Sequence, residues 1–222
     1  MDLWTRFNTN HNFIEQPLFA LEFGEPTPPA EKRRGACLVV GTHPCWDEDV
    51  TAALERYPDA AICGVNEAPR LVACDHLATC HGDKIEHFVE LHRQHRGAHP
   101  LPLLHFRDND IKPEHVPHPH HVWPVRTMAG SAPFAAAAMV MLGYDIVIFC
   151  GCPMTGGGGY AFEDTHKSTR DDPRIGFENE QHRMIKAWHR CMRLFKEQFP
   201  DMAARIRSMS GVTQEIFGGL DG

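Results

Sequence analysis

Glycine, hydroxyl and amide residues recur at four points of this chain where an apolar run stops, and each could help to hold an anion. The run ACLVV at 36–40 breaks into Gly41, Thr42, His43, Pro44 and Cys45; Asp47, Glu48, Val50, Ala53, Leu54 and Tyr57 then follow at helical spacing. A buried strand that ends in glycine, turns tightly and enters a helix is a common phosphate cradle, because the first helical amides lack an intrahelical acceptor. GTHPC has neither the GxGxxG spacing nor that of a Walker loop, so the usual dinucleotide and P-loop readings fail. Asn66 closes the next apolar run. Its amide could read a base or ribose edge, or it could simply form a turn. Gly130 and Ser131 precede a third apolar segment, and Gly151, Cys152, Pro153 and Met154 end a fourth.

The elements that position these residues centre on 127–154, TMAGSAPFAAAAMVMLGYDIVIFCGCPM. Ser131 is of a good N-cap type, and Pro133 stands where a missing amide hydrogen costs little. From there to Leu142 no residue is charged. A helix of about ten residues, roughly 15 Å long, that is apolar on nearly all sides must be buried. Gly143 is placed as its left-handed C-cap. DIVIFCG then reads as a central parallel strand, whose carboxyl end borders a crevice.

The rest of the chain alternates in the same way. Apolar runs at 36–41 and 60–66 predict strands, 71–83 a third that ends in polar residues, and 101–106 and 122–125 two more. Helices are predicted from Asp47 to the Pro58-Asp59 break, at 84–96 with Phe88, Val89 and Leu91 inward, and at 178–199. The last of these carries Ile185, Trp188, Cys191, Met192 and Phe195 as its inner stripe. Residues 205–211 read as a final strand and turn, and 212–222 as a short glycine-rich tail. Strands alternating with helices predict an α/β, Rossmann-like fold, with a mostly parallel central sheet and helices on both faces. Residues 1–34 form an N-terminal arm and linker, rich in Trp and Phe and then in Pro; 35–222 form the domain, with a polar and glycine-rich mobile loop at 155–176. The arm either packs on its own domain or reaches across a dimer, so a homo-oligomer stays open.

Bulk composition excludes several functions. With 222 residues, 42% hydrophobic and 23% charged, the chain suits one folded domain. A formal net charge of −7 gives no global field for a phosphate polymer, and Lys32-Arg33-Arg34 is the tightest cationic cluster. No apolar run reaches membrane-spanning length and the start is polar, which predicts no membrane partner and a cytoplasmic location. Of the eight cysteines, Cys37, Cys63 and Cys150 lie in strand-like runs, where free thiols act as small hydrophobes. His115, His118, His120 and His121 cluster with Glu114, but Pro113, Pro117 and Pro119 interrupt them and forbid helical pairing. No metal is expected there.

The order of these blocks resembles that of the bacterial sialyltransferase-like superfamily, which includes glycosyltransferase family 42 and the MptE-like (DUF115) proteins, some of them small and phage-encoded. Val39, Val40, Gly41, Thr42, His43, Pro44 and Cys45 match the family's Gly-x-x-Pro-Ser loop, with Cys45 in place of its Ser. Val65-Asn66 matches its second-strand Asn. Gly130-Ser131 and Leu142-Gly143-Tyr144 resemble its Ser/Gly-rich helix start and Leu-Gly-Tyr turn. Phe149 to Met154 falls at its Gly-x-Asp, where Pro153 replaces the Asp, and Ser208-Met209-Ser210-Gly211 resembles its terminal strand.

The resemblance implies a nucleotide or nucleotide-sugar donor held without GxGxxG, and transfer of its sugar to an acceptor hydroxyl on a glycan, a protein or a DNA base. It implies Gly41, Thr42, His43, Pro44, Cys45, Asn66, Gly130, Ser131, Gly151 and Met154 as donor-binding residues. By position it implies His166 as general base and Tyr160 near the leaving phosphate. An imidazole with an ordinary pKa of about 6.5 suits the first role. Two alternatives stand beside this: a non-catalytic nucleotide-binding or phage interaction protein, which the loss of the Asp favours, and a pterin pyrophosphokinase-like transferase, whose metal-assisted transfer that loss weighs against.

Overall fold

The structure, a computed structural model, describes residues 33–107, 116–123, 130–155 and 177–221; for 177–185 and 187 only the backbone is described. The arm at 1–32, the loop at 156–176 with Tyr160 and His166, and Glu114 and His115 lie outside these residues.

Seven strands pair in parallel to form one sheet of order β5-β4-β3-β2-β1-β6-β7. They are β1 (Ala36–Val40), β2 (Ala61–Val65), β3 (His76–Ala78), β4 (Leu103–Arg107), β5 (His120–Trp123), β6 (Ile146–Cys150) and β7 (Ile206–Ser208). β1, β2 and β6 form the centre as expected, since their unbroken apolar character suits strands covered on both faces. The chain steps outward from β1 to β5 and returns to the other side of β1 with β6, so the order reverses between β1 and β6.

Helices cover both faces. Leu38, Val40, Ile148 and Cys150 pack beneath α1 (Trp46–Arg56) through Val50 and Ala53. Leu77, Leu104 and Phe106 pack beneath α2 (Ile85–Arg96) through Ile85, Phe88, Val89 and Leu91. On the other face α3 (Ser131–Leu142) lies across the centre of the sheet, with Ala135, Ala136, Ala137 and Ala138 all buried. Small side chains let its backbone approach the strands closely. Gly143 ends it in the left-handed conformation at φ 113°. Beside it run α4 (Phe177–Gln198), with Cys191, Met192 and Phe195 buried, and the one-turn α5 (Pro200–Ala203).

Four expectations change. The third strand shrinks to three residues, because 71–75 turns back on β2, where the Asp75 carboxylate accepts the Ile62 amide at 2.8 Å. The fifth starts at His120 rather than Val122, paired with β4. Ser131 is the first helical residue and Gly130 the N-cap; the Ser131 hydroxyl instead accepts the Cys80 amide at 3.0 Å. The tail is no simple glycine-rich coil: it forms α6 (Gly211–Phe217), whose Ile216 and Phe217 complete the core beside β6 and α4. Glycine at its start hid that helix, and burial against neighbours outweighs the weak local propensity.

One polar chain crosses the core under α3. Trp123 Nε1 donates to His105 Nδ1 at 2.9 Å, His105 Nε2 lies 3.0 Å from His76 Nδ1, and His76 Nε2 lies 2.8 Å from Tyr144 Oη. An indole nitrogen can only donate, so His105 must be protonated on Nε2 and His76 on Nε2, each ring neutral. Burial, opposed by nearby Asp75, lowers the pKa of His76 to about 4; burial, helped by His76 and His121, lowers that of His105 well below its ordinary value. Both pKa values are depressed in the fold, so the unfolded chain binds these protons first as pH falls. Urea unfolding should therefore show stability constant above pH about 6.5 and falling towards pH about 4, by roughly 3 kcal/mol for His76 alone. A flat profile over that range would remove the neutral assignment. In α2, His92 is buried and neither ring nitrogen has a hydrogen-bond partner among the described residues. His92→Leu should raise stability by about 1–3 kcal/mol, read by the same unfolding assay, because it removes an unmet desolvation cost.

Candidate functional site

In open parallel sheets the loops after the strands' carboxyl ends form the usual binding edge. Here that edge gathers the turn after β1, Asn66 after β2, Thr79 to His81 after β3, Gly151 to Met154 after β6, and Ser210 after β7. The start of α3 reaches the same edge, tied to the β3 end by the bond from the Cys80 amide to Ser131. The β1 and β3 ends are two strand spacings apart, roughly 10 Å. All ten expected donor-binding residues thus fall on one edge, though they do not form one wall.

At the β1/β6 reversal the two turns are joined directly. Gly41 N donates to Cys150 O at 2.8 Å and His43 N to Gly151 O at 3.2 Å. A Cβ on Gly41 would lie 2.5 Å from both Cys152 Sγ and Gly151 O, so only glycine permits this approach. The crevice expected between these turns is therefore filled by their own contact. Asp49, on the first turn of α1, completes the junction. Its Oδ2 accepts the Gly151 amide at 2.8 Å and the Ser210 hydroxyl at 2.8 Å. Pro153 packs on Gly211 and accepts the Val212 amide at 2.9 Å, while Thr213 Oγ1 donates to Cys152 O at 2.9 Å.

His43 and Cys45 occupy the half-buried outer side of the junction, and Pro44 is exposed. His43 Nδ1 lies 3.0 Å from Cys45 Sγ and accepts the Cys45 amide at 3.3 Å. Cys45 Sγ is also 3.5 Å from Asp49 Oδ2 and 3.6 Å from Ser210 Oγ. Burial pushes the Cys45 thiol up; the Ser210 hydroxyl pulls against this and the Asp49 carboxylate adds to it. Burial likewise lowers the pKa of His43, with Asp49 opposing. The resting pair is neutral.

Towards β3 the edge differs. Asn66 takes φ 53°, and Thr79 Oγ1 donates to its Oδ1 at 2.8 Å while accepting the His81 amide at 2.9 Å. Among the described residues Asn66 Nδ2 has no hydrogen-bond partner. Met154 takes φ 51°, and His189 Nε2 donates to its carbonyl at 2.8 Å. Among the described residues these are the two non-glycine residues at positive φ, and both fall on this edge. Gly130 has φ 85°, and a Cβ there would meet Trp188 Nε1 at 3.0 Å, so the indole closes over the start of α3.

No protein-family model, curated protein or solved structure matches this chain.

Asp49, Thr79, Ser210 and Trp188 are the edge residues that sequence reasoning passed over. Only Asp47 and Glu48 stood out at the start of that helix, and Trp188 read as part of an inner stripe, though it is only partly buried. Among the described residues no His, Cys, Asp and Glu group has metal-binding spacing. His120 packs by Phe106 on one face of β5 and His121 by His105 on the other. No helix of the described residues is long and apolar enough to cross a membrane. Asp49→Ala leaves the Gly151 amide and Ser210 hydroxyl without their charged acceptor. It should lower stability by about 2–3 kcal/mol in urea unfolding, whereas the exposed neighbour Glu48→Ala should change it by less than about 0.5 kcal/mol.

Proposed function

We propose that the protein binds a nucleotide or nucleotide-sugar on the β2–β3 side of its carboxyl edge and is a glycosyltransferase-like enzyme that passes the sugar to an acceptor hydroxyl. The observation that carries this reading is the placement of Asn66 and Met154. Left-handed backbone at a non-glycine residue costs roughly 1 kcal/mol or more and persists chiefly where function needs the geometry. Here it is found at the ends of β2 and β6, beside a helix start that could take an anion.

Phosphate is better placed at α3 than at α1. The amides of Ser131 and Ala132 open α3 without intrahelical acceptors, and no acidic residue lies in that first turn. The first turn of α1 carries Asp47, Glu48 and Asp49, whose charge would repel phosphate. Asn66 Nδ2 would then donate to the nucleoside, and Trp188 would flank the phosphate or sugar. The roles of His166 as general base and Tyr160 at the leaving group rest on the resemblance alone.

The end of β6 favours a second reading. Pro153 there braces α6 instead of offering a carboxylate, which suits a binder that does no chemistry. Thermal-shift titration across nucleoside mono- and diphosphates and sugar nucleotides tests the binding step, since a ligand of the native state raises its melting temperature. A sugar nucleotide should stabilise the wild-type protein, and Asn66→Ala should weaken that binding roughly tenfold, the loss of one good hydrogen bond. If no nucleotide shifts the transition, the reading fails. Binding without release of sugar from any donor, and no effect of His166→Ala, would select the non-catalytic form.

A further inference from the structure

We propose that Cys45 and His43 form a thiol–imidazole pair that covalently captures an electrophilic carbon at the mouth of the carboxyl edge. Seven of the eight cysteines are buried; Cys45, half-buried, is the one that reagents can reach. Its sulfur lies 3.0 Å from His43 Nδ1, within proton-transfer reach. Because Nδ1 also accepts the Cys45 amide, its lone pair must face this side and the ring proton must be on Nε2. A base whose lone pair is turned to this side, shared by the amide and a thiol 3.0 Å away, can take the thiol proton as the sulfur attacks, without a standing thiolate.

The surroundings complete the pair. In the resting state the thiol donates to Asp49 Oδ2 at 3.5 Å, which disfavours a thiolate; the same carboxylate would balance the imidazolium formed once the proton has moved to His43. Ser210 and Gly151 hold that carboxylate in place. In the reaction, sulfur attacks carbon and an S–C bond forms while the bond from carbon to its leaving group breaks with its electron pair. The thiol proton passes to His43 Nδ1 and from there to the leaving group or to solvent. An activated acyl group, such as a thioester, is the class of substrate that this chemistry takes, giving an acyl-cysteine. No oxidant, metal or nucleotide enters the step. A purely structural reading would make the thiol a hydrogen-bonded filler of the turn, with its reactivity set by the bulk thiol alone.

Iodoacetamide distinguishes the two, followed by intact mass and peptide mapping of the full chain over pH about 5.5 to 9.5. A single label on Cys45 is expected first, and Cys45→Ser should abolish it. The wild-type rate should hold a plateau from about pH 7 to 8, where His43 is neutral and the thiol still protonated, before rising as the thiol ionises. His43→Ala should lose the plateau, reacting at least roughly tenfold more slowly there, and keep only the alkaline rise. Should that variant lose its far-UV circular dichroism, His43→Gln replaces it under the same criterion. Equal rates with and without the imidazole across the range, or first labelling at another cysteine, would overturn the proposal. The assay uses no nucleotide, so it can fail while the nucleotide reading stands, and the reverse.

Discussion

One carboxylate oxygen, Asp49 Oδ2, receives both a backbone amide from the turn after β6 and a hydroxyl from the turn after β7. Asp49 is itself part of the helix that follows β1, so three chain reversals distant in sequence meet at a single acceptor. Turns at strand ends have spent their sheet partners and would otherwise need water or a ligand. Here an anionic acceptor of nearly zero exposure supplies the need, with the stronger bonds that charge gives. The close approaches of Gly41 to Gly151 and of Pro153 to Gly211 lie at the same junction. The same oxygen sets the field around Cys45 and His43.

The fold beneath is governed by the need to cover a parallel sheet on both faces. α1 and α2 cover one side, and α3, α4 and α6 the other. α3 contributes little selectivity by pattern, being apolar all round, and its orientation comes from its ends: Gly143 stops it, and Ser131 is pinned to the β3 turn. Beneath it the chain from Trp123 to Tyr144 puts four polar rings inside an otherwise apolar layer. Each inner ring both donates and accepts, so the desolvation cost is met, and the geometry of one ring fixes the tautomer of the next. His92 in α2 has no such partner, which shows how differently two buried imidazoles can be treated in one molecule.

The carboxyl edge divides into two halves with different chemistry. The β1/β6/β7 half is closed by protein contacts, acidic along α1, and holds the thiol. The β2/β3 half presents strained Asn66, a hydroxyl-tied turn and an unacidic helix start beneath Trp188. The switch point of an open sheet is the usual place for a ligand, yet here the two turns fill it.

Sequence alone determined the elements whose pattern is redundant. The unbroken apolar runs of β1, β2 and β6, the alanine-rich α3 with Gly143 at its end, and the order of alternation each state the same fold in several residues at once. Local spacing also placed Gly41, Asn66, Gly130 and Gly151 at strand ends and a helix start, because such ends are marked by Gly and Asn themselves. What it could not carry was any choice made between distant segments. That Asp49 serves Gly151 rather than its own helix, that Ser131 caps the β3 turn instead of α3, and that a helix forms at Gly211 are decided by partners brought close only after folding. The tautomers of His76 and His105 are of the same kind: their residue types were visible from the start, but a proton's position depends on the indole of Trp123 across two strands. A hydrogen bond acts over about 3 Å, and no spacing along the chain encodes which groups will lie within that distance.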